Sequence, residues 1–130
     1  MANFNKHAKT GILVCGSAGL VINLIRQFDR MNNDHTAKFN WLELFAYTTV
    51  GATLGGAAGV LPDLFEPAIN PCHRKIFHSM TLAFGIGAGI IKANKSKLPE
   101  PAKDAIKTAS MGYITHLILD SKTPYGLPII

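Results

Sequence analysis

The feature that most constrains the fold of this chain is a series of glycines inside an apolar segment. Gly51, Gly55 and Gly59 follow one another at four-residue spacing, which places them on one face of a helix. Such a face lets two helix backbones approach closely, most familiarly in membranes, whereas each glycine in a soluble helix would cost about 1 kcal/mol against alanine. The segment therefore predicts a tightly packed helix.

Alternating apolar and polar stretches predict four helices along the chain. We expect these helices at 8–28, 41–60, 74–91 and 102–119. Polar loops are expected over 29–40 and 92–101, and a rigid connector is expected at Pro62, Pro67 and Pro71. Gly85 and Gly89 in the third segment, with Gly87 between them, also favour close packing. The predicted fold is all-α, a compact bundle of about four helices forming a single domain over residues 1–130.

The composition favours a lipid bilayer as the partner of this bundle. Hydrophobic residues make up 48% of the chain, and they are concentrated in a few blocks. These apolar blocks approach the roughly 20 residues of a membrane span, so they fit short or tilted spans or the buried helices of a soluble bundle. We expect a membrane-embedded or membrane-associated protein, in which the glycine-lined helix faces also allow a homo-oligomer.

The charge pattern separates two classes of partner. The net charge is +5, but the basic residues are scattered and no basic stripe with interleaved aromatic residues occurs. Nucleic-acid binding is therefore not expected, because its electrostatic footprint is absent. A positive surface beside apolar segments fits anionic lipid head groups.

Ionisable residues gather around the second connector, although charged residues make up only 16% of the chain. The cluster consists of Asp63, Glu66, His73, Arg74 and His78. Three of these residues have an ordinary alternative: Asp63 could cap a turn, Glu66 could be exposed, and Arg74 could lie along the surface. The gathering nevertheless suggests a metal site.

The topology of an up-down bundle brings further candidates to this cluster. The N-terminus, the second connector and the C-terminus of such a bundle lie at one end. His7 precedes the first predicted helix, and His116 and Asp120 lie four residues apart near the end of the fourth. A mutual hydrogen bond between His116 and Asp120 is the structural alternative. His35 is expected at the opposite end.

This donor set predicts a divalent metal ion and hydrolysis. The predicted ligands are His7, Asp63, His73, His78, His116 and Asp120. Histidine and carboxylate ligands without thiolates favour zinc, with manganese or iron also compatible, and their number suits one or two ions per chain. Metal-bound water ionises near neutrality, Asp63 or Glu66 could take its proton, and Arg74 would stabilise charge on a phosphoryl oxygen. Glu66 and Arg74 are the predicted catalytic residues, and the arginine favours a phosphoester substrate.

Three motifs resemble a known family. The segments PDLFEP, HRKIFHS and GYITHLILDSKTPYGLP are similar to those of the YdjM-like (DUF457) membrane-bound metal-dependent hydrolases of the bacterial inner membrane. The matching positions are Asp63, His73, Arg74, His78, Ser79, Gly112, Tyr113, His116, Asp120, Thr123 and Gly126, and His7 matches a common N-terminal histidine. The resemblance implies a hydrolase at the inner membrane, although Phe65 stands where many members have a second acidic residue.

Two functional hypotheses follow from these features. The first is a membrane-associated metal-dependent hydrolase that acts on a small-molecule or lipid phosphoester, such as a phospholipid. The second is a non-enzymatic membrane protein whose metal site is structural or sensory. A closed coordination shell favours the second, whereas an open position favours catalysis.

Overall fold

The computed structural model of the chain describes residues 4–67, 76–122 and 126–129. Its helices are α1 (Phe4–Asn33), α2 (Trp41–Ala58), α3 (Leu61–Phe65), α4 (Met80–Asn94) and α5 (Glu100–Ser121). These described residues form no strand, and the four long helices form a compact bundle. The predicted all-α bundle is thereby confirmed, with the one-turn helix α3 as an additional element.

The first predicted loop was wrong over its first residues, because α1 continues to Asn33. The polar side chains at this end of α1 bind the start of α2 instead of marking a loop. Asn23 donates to Glu43 at 3.0 Å, and Arg30 forms an ion pair with the same carboxylate at 3.1 Å. The polarity of this segment therefore reflects contacts between helices.

The proline connector and the third helix also differ from the prediction. Pro62 lies in the first turn of α3, where a missing backbone N–H costs nothing because that group has no intrahelical partner. The described part of the third helix starts at Met80 and not at 74, because the Ser79 side chain caps it by accepting from the Leu82 amide at 3.2 Å.

Glycines bring α1, α2 and α5 into direct backbone contact. A Cβ atom on Gly11 would overlap the carbonyl oxygen of Gly55, and one on Gly112 would lie only 2.7 Å from it. The predicted tight packing of the α2 glycines is thus correct. By contrast, a Cβ on Gly85 or Gly89 would meet nothing within 4 Å among the described residues, so the close packing expected at α4 is not found within this chain.

The burial pattern is the reverse of that in a soluble bundle. The largest fully buried side chains include His7, His78, His116 and Asn23. Large apolar side chains point outward instead, with Leu13 69% exposed and Leu42 76% exposed. Two helical stretches, Phe4–Asn33 and Trp41–Phe65, are long and apolar enough to cross a membrane.

The difference between the two glycine faces gives a test of this packing. Gly55→Ala should lower the free energy of unfolding by about 1–3 kcal/mol, because the new methyl group overlaps the backbone of α1. Gly87→Ala, the matched control in open space, should leave it unchanged or raise it by up to about 1 kcal/mol. Unfolding in detergent, followed by helical circular dichroism, measures both, and equal stabilities of the two variants would contradict the packing.

Candidate metal centre

Four ionisable side chains from three parts of the chain converge at one end of the bundle. Asp63 comes from α3, His78 from the turn before α4, and His116 and Asp120 from successive turns of α5. Each offers one donor atom, and these four atoms lie within 4.8 Å of one another. The group could hold a metal ion.

The separations between the donors have the size expected for ligands of one ion. The Nε2 atoms of His78 and His116 lie 3.2 Å apart. His78 Nε2 lies 3.4 Å from Asp63 Oδ1 and 3.5 Å from Asp120 Oδ2. His116 Nε2 lies 3.6 Å and 3.4 Å from the same two oxygens. Ligands bound tetrahedrally to zinc at about 2.05 Å are about 3.3 Å apart. The predicted alternative, a mutual hydrogen bond between His116 and Asp120, would use the same two atoms, whose separation of 3.4 Å is long for such a bond.

Both imidazoles are oriented by acceptors on their far sides. His116 Nδ1 lies 2.7 Å from the Gly59 carbonyl oxygen, and His78 Nδ1 lies 3.0 Å from Glu66 Oε2. An Nδ1–H that donates to these acceptors leaves each Nε2 with its lone pair directed at the centre. Metal-ligating histidines almost always have such a partner, which fixes the tautomer and raises the basicity of the ligand.

Local hydrogen bonds hold the turn that carries His78. The Ile76 amide donates to Glu66 Oε1 at 2.8 Å, so Glu66 binds this turn at two points. Tyr113 on α5 donates to the Phe77 carbonyl at 2.8 Å, and Ser79 donates to the Ile76 carbonyl at 2.7 Å. His78 is therefore positioned although it lies outside a helix.

The carboxylates at this buried centre favour a cation. His78, His116 and Asp120 are at most 1% exposed, whereas the Asp63 side chain is 23% exposed. Burial opposes protonation of His78, but the carboxylates of Asp63 and Glu66 outweigh it and raise the pKa of His78 above its ordinary value. Of the nearby carboxylates, Asp63 and Asp120 place negative charge on the side to which the His78 Nε2 points.

His7 lies directly beside the four donors. Its ring stacks on that of His116, with the centroids 3.8 Å apart, and its Nε2 lies 3.5 Å from Asp120 Oδ1. Asp120 therefore faces His7 with one oxygen and the four-donor group with the other. His7 Nδ1 is buried and has no hydrogen-bond partner in the described part of the chain.

The remaining predicted residues fall into two groups. His73 and Arg74 lie outside the described residues, so their roles as ligand and catalytic residue stay predictions. Thr123 of the third motif also lies outside them. His35 lies in the loop between α1 and α2, exposed and at the opposite end of the bundle as expected.

One component of the centre has no signal in the sequence. The Gly59 carbonyl accepts from His116 because Gly55 and Gly112 let α2 and α5 pack backbone to backbone. A backbone oxygen is present at every residue, so only the packing of the two helices selects this one. The glycine spacing indicated the close approach but not the contact.

Comparisons with known proteins do not assign this chain to a family. No protein-family model, curated protein or solved structure matches the chain. The resemblance to YdjM-like hydrolases therefore stays a prediction, and the geometry of the site is the basis for any functional conclusion.

The metal content of purified protein tests the centre. We expect at least one divalent ion per chain by elemental analysis, and loss of that ion in both His78→Ala and His116→Ala, because each removes one of the donors. His35→Ala, a histidine exchange at the opposite end, should keep the full content. Unchanged metal content in His78→Ala and His116→Ala would rule out the site.

Proposed function

We propose that this protein is a membrane-embedded, metal-dependent hydrolase that acts on phosphoesters. The observation that carries the proposal is the set of four donors, three of them fully buried, of which five of the six separations are 3.2–3.6 Å and match the edges of a metal coordination shell. Zinc is the favoured ion because four mixed nitrogen and oxygen donors suit it, with manganese or iron as further candidates.

In this proposal three of the four donors are metal ligands and the fourth is a catalytic residue. His78, His116 and Asp120 are the fully buried donors, and two histidines with one carboxylate match the ligand type of known catalytic zinc sites. Asp63 is the donor that solvent reaches. We assign it to the open side of the centre, where water and substrate enter.

The chemistry divides between the metal and the side chains. A bound divalent ion lowers the pKa of water and polarises a phosphoryl oxygen. The Asp63 carboxylate accepts the proton from the attacking water, a role that requires it to lie within hydrogen-bond distance of that water. Glu66 holds the His78 ring through Nδ1 and acts as a positioning residue, in place of the catalytic role expected from the sequence.

The proposed substrate is a phosphoester that reaches the centre from the membrane, such as a phospholipid. A metal-assisted hydrolase needs positive charge beside the phosphoryl group, and Arg74 is the candidate from the second motif. His7 faces the second oxygen of Asp120 at 3.5 Å, so these two side chains would hold a second ion in the same proposal.

A structural or sensory metal site is the alternative function. The specific observation in its favour is that four protein donors lie within 4.8 Å of one another, as many as a closed tetrahedral site uses, so no position would be left for water if all four bound the ion. The two functions therefore differ in the role of Asp63. It is a metal ligand in the structural site and a proton acceptor in the catalytic site.

The distribution of side chains supports placement in a bilayer. Outward-facing leucine, isoleucine and phenylalanine suit lipid chains, while the polar side chains find partners inside the bundle. In water the same surface would be a large exposed apolar area that monomeric soluble proteins rarely have. The inner membrane of a bacterium is the location that the sequence motifs suggest.

Substitutions at the two carboxylates separate these functions. Asp63→Asn should retain the ion and lower the rate of phosphodiester hydrolysis about 10²–10⁴-fold, because the amide cannot accept a proton. Glu66→Gln should weaken metal affinity about 10–100-fold, with hydrolysis recovered at saturating zinc. The measurements are elemental analysis, chelator competition and turnover of a chromogenic phosphodiester and a phospholipid.

The results of these measurements distinguish a catalytic metal site from a structural one. Loss of the ion in Asp63→Asn, as in Asp120→Asn, together with no hydrolysis by the wild-type protein would favour the structural site. A metal-loaded wild-type protein that hydrolyses neither substrate would reject the proposed activity. His35→Ala is the control that should behave as wild type in each assay.

The membrane placement is tested by extraction. The protein should stay in the membrane fraction after alkaline carbonate washing and need detergent for release, because its apolar side chains cover the outside of the helices. A peripheral protein of similar size serves as the control that carbonate releases. Recovery of the chain in the carbonate supernatant would contradict the placement.

A further inference from the structure

A second feature lies on the bundle away from the metal centre, in a groove between α2 and α5. The groove has a volume of about 180 Å³, and α1 contributes Gly19 and Ile22 to its lining. Asp104 at this groove precedes His116 by twelve residues on α5, which corresponds to about 18 Å of helix. The groove is therefore separate from the metal centre.

Small residues make the groove, and larger apolar residues form its walls. Neither glycine nor alanine has a side chain that could fill the space between the helices. Val50, one of the walls, is 52% exposed, so the groove opens on the outer apolar surface of the bundle. The small residues and the apolar walls of the groove are Gly19, Ala46, Val50, Gly51, Leu54 and Ala105.

The polar side chains at the groove are already engaged with one another. Asp104 forms an ion pair with Arg26, and the same guanidinium donates to the Tyr47 hydroxyl at 2.9 Å. The Thr108 hydroxyl donates to the Asp104 carbonyl at 2.7 Å. A polar ligand would have to break these contacts, whereas an apolar ligand would leave them intact.

The size of the groove selects among apolar ligands. An apolar cavity of about 150 Å³ in another protein admits benzene, so this groove accommodates a segment of hydrocarbon chain. A partner helix, about 10 Å in diameter with its side chains, would not fit inside this volume and could only lie across its opening.

The position of the groove agrees with such a ligand. Its residues Val50 and Leu54 lie in the stretch Trp41–Phe65, which is long and apolar enough to cross a membrane. In the membrane placement proposed above, the groove therefore opens toward lipid chains.

We propose that this groove is a binding site for the hydrocarbon chain of a bilayer phospholipid. The site rests on the membrane placement proposed above and not on the metal or the hydrolase activity. It holds the lipid by shape and apolar contact, and the Arg26–Asp104 pair closes its polar end.

Ala105→Phe tests the site, because the ring would occupy the groove. Native mass spectrometry of detergent-solubilised protein, titrated with phosphatidylcholine, should show lipid affinity at least about tenfold weaker than in wild type, the equivalent of losing about two buried methylene groups. Ala57→Phe is the matched control, since Ala57 is exposed on α2 and does not line the groove. Ala46→Phe, at an exposed groove position, repeats the test if Ala105→Phe does not fold.

A second measurement locates the lipid. Phosphatidylcholine with a photoactivatable group in mid-chain should label segments 46–54 and 101–108 in preference to the exposed apolar faces of α1 and α4, and Ala46→Phe should reduce that label. Even labelling of all apolar faces, or wild-type affinity in both groove variants, would overturn the proposal. Metal content measured on the same samples keeps this result separate from the hydrolase, because a metal-free protein with an intact lipid site contradicts only the metal centre.

Discussion

The close approach of three helix backbones at Gly55 is the constraint on which the rest of the structure depends. Gly11 on α1 and Gly112 on α5 both lie against the Gly55 carbonyl, where no side chain fits. This contact fixes the helices at a separation that larger residues would not allow. One helical turn further along, it brings His116 to the Gly59 carbonyl and His7 beside Asp120.

The metal centre follows from that contact because its donors belong to elements that the contact aligns. His116 and Asp120 are presented by one face of α5, and Asp63 follows α2 by way of the short helix α3. His78 comes from a turn that is held by Glu66 and Tyr113, and not by a helix of its own. A charged group buried without such partners would be strongly unfavourable, so the cluster depends on its internal contacts, and it could hold a metal ion.

The bundle has polar contacts inside both of its ends and apolar side chains on its outside. At the end opposite the metal centre, Asn23 and Arg30 bind Glu43, and Arg26 binds Asp104. Between the two ends, small residues replace the large apolar core of a soluble protein. Large side chains are left for the outside, which is the distribution that a lipid solvent favours because every polar group must be satisfied within the protein.

The sequence by itself determined the all-α class, the number of long helices and the end of the bundle at which the ionisable residues meet. Those properties depend on periodicity, glycine spacing and the up-down order of helices, which are local or topological. Tertiary structure alone decided that α1 extends to Asn33, that Glu66 binds His78, and that the Gly59 carbonyl orients His116. The tertiary structure also leaves open space beside the α4 glycines, because no described atom lies within 4 Å of a Cβ placed there. The reason is that such contacts join residues distant in sequence, and their partners are selected by how closely the helices pack.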